Sequence, residues 1–237
     1  MEERNQTQSN EQGHRSRVIA IDGPSGAGKS SVSRTVGEKL GFLHVDSGAL
    51  YRIMTWQCLR HGIDTSDEKA VAAFAGTVEV TCRPEGADLA FYVDGIRPGD
   101  ELRTPEVNAH ASPVATVKAV RDRVTAWLRK MPEHGDLIVE GRDITTAVFP
   151  DTPARFYLTA SAEARAARRH KEEVEKGIAG GSAEEVKASL LARDQIDSTR
   201  KYAPLKKADG VIEIDSTFLT LEQVVETVLS ALPETWK

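Results

Sequence analysis

The feature that most narrows what this chain can fold into is the run Val18-Ile19-Ala20-Ile21-Asp22-Gly23-Pro24-Ser25-Gly26-Ala27-Gly28-Lys29-Ser30-Ser31. An apolar strand runs into a glycine-rich turn, and the amphipathic stretch Ser31–Leu40 follows as a helix. Gly23, Gly28, Lys29 and Ser30 fit the spacing G-x-x-x-x-G-K-[ST], in which successive backbone N–H groups wrap around an anion. Gly26 and Gly28 can take positive φ without a Cβ clash, which lets the main chain approach phosphate oxygens. The following helix turns its positive end toward the same charge. An ordinary Gly/Ser strand-to-helix turn is the plain alternative, and the strand before and helix after favour the phosphate site. On that reading Gly23, Pro24, Ser25, Gly26, Ala27, Gly28, Lys29, Ser30 and Ser31 cradle a nucleoside triphosphate. Lys29 reaches its β- and γ-phosphates, and the Ser30 hydroxyl ligates Mg²⁺.

With 237 residues, 40% of them hydrophobic, the chain can bury a sizeable core. No apolar run approaches the roughly 18 residues that cross a bilayer. Residues 1–16 are polar throughout and lack the apolar centre of a signal peptide, so they are expected to form a disordered tail, with the folded domain at 17–237. A net charge of −5 argues against broad nucleic-acid binding. Cys58 and Cys82 have no metal or redox spacing, and the six histidines are scattered, which suits a reducing cytoplasm. No long apolar heptad points beyond a monomer.

Along the chain, Leu43–Asp46 reads as a second buried strand, and Ser47-Gly48-Ala49 opens a helix that runs from Leu50 to about His61. Val78–Arg83 and Leu89–Val93 alternate like strands, and Asp94-Gly95 is a hairpin signal. These belong to a small antiparallel insertion at about residues 76–112. Val114–Lys130 has helical periodicity, Leu137–Val139 and Ala154–Thr159 are strands, and Ser161–Val174 is a helix. Gly177, Gly180 and Gly181 break that helix, Ser182 caps the next, Val211–Ile214 is a last strand, and Thr220 caps a final helix. The sum is an α/β fold: a doubly wound, parallel, five-stranded sheet with helices on both faces, the insertion, and a lid at about residues 168–193.

Ligands of such sheets sit beyond the carboxyl ends of the strands, and charged residues gather there. Ser47 and Arg52 follow the second strand at a spacing that suits a second phosphate group, or a plain N-cap beside a surface arginine. Arg142 and Asp143 follow the third as a phosphate-facing or purely structural pair. Arg193, Asp197 and Arg200 share one helical stripe, which fits a site or a solvated salt-bridge face equally. Arg165, Arg168 and Arg169 precede the glycines as a lid closing over phosphates would, or as an exposed basic helix. On the lid reading Arg168 and Arg169 join the ATP site. A GTPase would need an Asn-Lys-x-Asp motif, and Asn5, Asn10 and Asn108 are none of them followed by lysine. The many arginines suit an acceptor that is itself a phosphate, whose oxygen needs no general base.

Ile21-Asp22-Gly23-Pro24-Ser25-Gly26-Ala27-Gly28-Lys29, Asp46-Ser47-Gly48-Ala49-Leu50-Tyr51-Arg52 and Glu140-Gly141-Arg142-Asp143-Ile144, with Phe149-Pro150-Asp151, together resemble bacterial cytidylate (CMP) kinase from about Val18 to the final helix. The resemblance implies ATP-dependent phosphorylation of CMP and dCMP to CDP and dCDP, and identifies Val78–Ala111 as part of the acceptor-binding region. It implies that Lys29, Arg142 and Arg193 are catalytic. Ser47, Arg52 and Arg142 would hold the CMP phosphate, with Arg193 and Asp197 near phosphate and sugar. Ser112, Arg121, Asp143 and Arg200 would surround the cytosine, whose N4 donor and O2 and N3 acceptors a carboxylate and a guanidinium complement. UMP should be disfavoured. Thr145 stands where the family often has glycine, which removes easy access to positive φ. Two other readings remain: a kinase of another nucleoside monophosphate or small metabolite on the same scaffold, and a nucleotide-gated binding module.

Overall fold

A computed structural model of the chain describes residues 16–175 and 182–236. In chain order it contains β1 (Val18–Asp22), α1 (Lys29–Leu40), β2 (Leu43–Asp46), α2 (Ser47–Arg60), α3 (Glu68–Ala75), β3 (Val80–Glu85) and β4 (Asp88–Val93). There follow α4 (Pro105–Thr116), α5 (Lys118–Lys130), β5 (Leu137–Gly141), β6 (Ala154–Thr159), α6 (Ala162–Glu175), α7 (Ala183–Thr199), β7 (Ile212–Asp215) and α8 (Leu221–Ser230).

The strands lie in the order β3-β4-β2-β5-β1-β6-β7. The last five of that order are parallel throughout, the five-stranded core expected from the sequence. Side-chain alternation explains why helices cover both faces. Val18 and Ala20 of β1, with Leu137 and Val139 of β5, point into a core shared with α2, α3, α4 and α5. Ile19, Ile21 and Ile138 point the other way, into a core with Val32 and Val36 of α1, Phe156 and Leu158 of β6, and Val224, Val225 and Val228 of α8. α1 and α2 therefore leave the ends of β1 and β2, which flank β5, for opposite faces, and this opens a crevice between them. No helix among the described residues is long and apolar enough to cross a membrane.

The insertion contains the expected antiparallel pair, β3 with β4, and His44 of β2 pairs in parallel with Asp88 of β4, so the hairpin also extends the main sheet to seven strands. The β3–β4 connection is at Gly86, and Asp94-Gly95 (φ 52° and 75°) makes the expected two-residue turn, between Val93 and Ile96. Two expectations are corrected. The helical run around Val114–Lys130 is two helices, because buried Val117 leaves helical backbone at ψ 123°. Ser16 belongs to the folded body, since its hydroxyl donates to the Pro132 carbonyl at 2.6 Å; the rest of the expected tail, 1–15, lies outside the described residues. So do the lid glycines 177, 180 and 181.

The junction of β1 with the glycine-rich loop tolerates no side chain. A Cβ on Gly23 (φ 153°) would stand 1.9 Å from the Leu158 carbonyl oxygen of β6, whereas one on Gly41 (φ 70°) would meet open space. Gly23→Ala is expected to destabilise the fold by about 3 kcal/mol or more, against roughly 1–2 kcal/mol of left-handed strain for Gly41→Ala. Chemical denaturation of the two variants would show the difference, and equal midpoints would refute it.

Candidate active site

The register of β1 against β5 sets Asp22 beside Gly141, and that of β2 against β5 sets Asp46 beside Glu140, so three loops leave the sheet together. The first is the glycine-rich loop. Gly26 and Gly28 have φ 76° and 92°, and α1 starts at Lys29 with no side-chain cap and no acid in its first turn. Its N–H groups are left for an external anion. Lys29 is 5% exposed, and its Nζ donates to the Pro24 carbonyl at 2.8 Å. Burial above all, with the Arg142 charge added, pushes its ammonium down to about 7, against the pull of Glu140, Asp22 and Asp194.

The loop after β5 is tied to the first by Asp22, whose fully buried carboxylate accepts from the Ile144 and Thr145 N–H groups (2.8 and 2.7 Å) and from the Thr145 hydroxyl (2.6 Å). Burial, with Asp143 nearby, raises Asp22 to about 6 in spite of those bonds. Position 145 does not require a glycine backbone: this segment is a π-helical turn, Ile144–Val148, and Thr145 is not among the residues with positive φ. Its hydroxyl adds a bond that glycine could not make.

The third loop opens α2. The Ser47 hydroxyl donates to the Glu140 carbonyl at 2.6 Å, and Asp46 caps the helix while accepting from Arg52 Nη2 at 2.6 Å. Although burial opposes it, the charges of Arg52, His44 and Arg103 hold Asp46 below the usual carboxylate range.

Arg142 spans the crevice, its Nη2 donating to Ser25 Oγ at 2.8 Å and its Nε to Asp197 at 3.0 Å. Asp197 and Arg200 are each 8% exposed and pair at 3.4 Å, so this part of the Arg193, Asp197 and Arg200 stripe is buried and not a solvated salt-bridge face. Arg193 differs from its neighbours. Its buried Nε has no hydrogen-bond partner among the described residues, and burial, followed by repulsion from Arg142, pushes its guanidinium down to about 10, with Arg52 and Arg169 adding to the repulsion against the pull of Asp197. A cation placed among other cations in this way can take an anion.

Beyond it lies the group expected at the base. Arg121 and Asp143 form a tight buried pair; Arg121 Nη1 also donates to the Ala115 carbonyl at 3.0 Å, and its guanidinium lies over the Tyr51 ring at 5.4 Å. Arg200 approaches Asp143 at 3.7 Å. Ser112 sits half-buried on α4, one turn before Ala115. The lid arginines are less directly placed. Arg168 donates to Ser216, which itself contacts the Ala27 carbonyl of the glycine-rich loop, and Arg169 pairs with Glu172 and Glu173 on its own helix. Sequence reasoning gave no role to Asp22, Glu140, Asp194 or Ser216. A signal existed for Asp22, an acid closing an apolar strand directly before the loop; Asp194 stands off the Arg193 and Asp197 stripe and had none.

A family model described as cytidylate kinase matches residues 19–234. A cytidylate kinase of Streptomyces coelicolor is 44% identical over 219 residues, covering 92% of this chain and 93% of the relative. One of Clostridioides difficile is 42% identical over 215 residues, covering 91% and 97%. One of Limosilactobacillus fermentum is 40% identical over 219 residues, covering 92% and 96%. Among solved structures, an uncharacterized protein from Eubacterium ventriosum aligns with a TM-score of 0.51 at 10% identity, over 90% of this chain and 96% of that one, a likeness of fold alone. Relatives that match nearly end to end, and a family model spanning all three loops of the crevice, lead to one conclusion: the chain belongs to the cytidylate kinase family.

Proposed function

We propose that this protein transfers the γ-phosphoryl group of ATP to CMP or dCMP, giving ADP and CDP or dCDP. The observation that carries the reading is Arg193, half-buried with a buried Nε that has no hydrogen-bond partner among the described residues, its guanidinium in the field of Arg142, Asp197 and Arg52. An acceptor phosphate supplies the missing anion there. Its oxygen is already a nucleophile, so the enzyme's task is positioning and charge neutralisation, which Lys29, Arg142 and Arg193 perform. Ser47 and Arg52 hold the acceptor phosphate from the start of α2. Ser112, Arg121, Asp143 and Arg200 read the cytosine, Asp143 accepting from N4. The Ser30 hydroxyl, exposed on the first turn of α1, is a hard oxygen donor suited to Mg²⁺, which when bound offsets charge on the β- and γ-phosphates. Arg168 and Arg169 close on ATP as part of a lid at about residues 168–193, and about 76–112 forms the acceptor-binding insertion. A monomer is the reading for the assembly, since the sequence has no long apolar heptad. Two unbridged cysteines support a cytoplasmic setting.

The test is ADP formation from ATP with CMP, dCMP, UMP and AMP in turn, cytidine nucleotides being expected to dominate. In Asp143→Asn an amide that can also donate replaces a pure acceptor. The CMP-over-UMP ratio of kcat/KM is expected to fall about tenfold or more, with the KM for ATP unchanged. An equal loss for both acceptors would reduce Asp143 to a support for the loop.

Lys29 gives a proton-linkage test. In the ligand-free protein its ammonium titrates near 7, and a bound polyphosphate restores the charged form. At pH 8, ATP binding is expected to take up about one proton, measured by calorimetry in buffers of different ionisation enthalpy. Lys29→Arg, which stays charged, should show no such uptake. In the free protein this group's contribution to stability should rise with pH between about 7 and 10.5, because there the unfolded chain keeps a proton that the folded chain has lost. Uptake unchanged in Lys29→Arg would assign the proton elsewhere.

A further inference from the structure

Ser25 is held at all of its polar groups by side chains from outside its loop. Its N–H donates to Asp194 Oδ1 at 3.1 Å, its carbonyl accepts from Arg165 Nη1 at 3.0 Å, and its hydroxyl accepts from Arg142. Arg165 of α6 and Asp194 of α7 are themselves a close ion pair, with side chains only 8% and 17% exposed, and Arg165 Nε is fixed on the Ala160 carbonyl at 3.1 Å. The clasp closes a ring: Ser25 N–H to Asp194, Asp194 to Arg165, Arg165 to the Ser25 carbonyl. Packing adds to it, since a Cβ on the next residue, Gly26, would stand 3.0 Å from the Arg165 carbonyl oxygen.

α7 therefore grips the triphosphate loop twice, directly through Asp194 and indirectly through Asp197, Arg142 and the Ser25 hydroxyl. The same helix carries Arg193 and Asp197, the residues assigned to the acceptor. α6 and α7 pack on one another through a small core of Ala166, Val186 and Leu190.

We propose that Asp194 is a positioning residue that couples the two substrates: when an acceptor phosphate fixes Arg193 on α7, Asp194 fixes the backbone of Ser25 and with it the anion-binding shape of the loop. The inference rests on the kinase reading above. By linkage the coupling is reciprocal, so each nucleotide should tighten the other by the same factor. Asp194 touches neither substrate in this scheme; it acts through Ser25.

The measurement is the dissociation constant of a non-hydrolysable ATP analogue with and without saturating CMP. The parent enzyme is expected to show at least fivefold tightening, the lower end of ordinary coupling. In Asp194→Ala that ratio should fall to within twofold of one, with kcat reduced more than the KM for CMP. Asp194→Asn keeps an oxygen for the Ser25 N–H but loosens Arg165; it should fold where the alanine variant does not, and its ratio should lie between the two. A purely structural residue would lower the melting temperature of both variants and leave the ratio of the folded fraction unchanged. Absence of coupling in the parent, or parent-like coupling in both variants, overturns the proposal. The kinase reading fails separately, if the parent makes no ADP with CMP.

Discussion

The carboxylate of Asp22 is the point on which the crevice is assembled. It closes β1, lies fully buried, and takes three hydrogen bonds from the turn after β5, while the residue after it begins the triphosphate loop. One side chain thereby fixes the distance between the loop that cradles ATP phosphates and the loop that presents Arg142 and Asp143. The arrangement is costly in isolation, since burial lifts Asp22 to about 6, and it holds because Thr145 and its neighbour supply donors that water cannot. A glycine at 145 would leave one of those lone pairs to the backbone alone.

Around that anchor the loops are rigid in different ways. The start of α2 is held by local bonds, Ser47 to the Glu140 carbonyl and Asp46 to its own helix and Arg52. The glycine-rich loop has few contacts of its own and borrows order from distant elements: Ser216 behind Ala27, Arg165 and Asp194 around Ser25, and Arg142 on its hydroxyl. A loop that must admit phosphate oxygens cannot fill its own interior, so its stability has to come from outside.

That division decides what the sequence could reveal. The central strands are legible because they are buried on both faces and read as continuous apolar runs, and the phosphate loop is legible because its chemistry is local spacing. The hairpin is legible as alternation, but its place on the sheet edge rests on one backbone pairing, His44 with Asp88, which no periodicity encodes. Helix α3 has only eight residues, of which Val71 and Ala75 are buried, too short a pattern to stand out. The break at Val117 occurs without Gly or Pro, because packing of a buried valine outweighs helix propensity. The motif residues at the strand ends are legible as local spacing, whereas the clasp on Ser25 joins residues 140 and 169 positions apart and could emerge only from the fold.

The crevice also keeps two kinds of charge, and the difference follows from what each end would bind under the proposed function. At the base end, Arg121 and Asp143 already neutralise one another in a dry environment, so a neutral cytosine can join their hydrogen bonds without bringing charge. Selectivity there comes from matching donors to acceptors, and an unmatched uracil would leave buried polar groups unpaired. At the phosphate end, neither Lys29 nor Arg193 forms a close ion pair with a carboxylate among the described residues, and burial, opposed by acids further off, pushes both toward losing their charge. A bound anion favours the charged form of each, so the desolvation of positive charge is offset where phosphates arrive and where charge is spread during transfer. A carboxylate base beside the acceptor would undo this arrangement, since it would neutralise the cations that transfer needs, and phosphate oxygens do not require one.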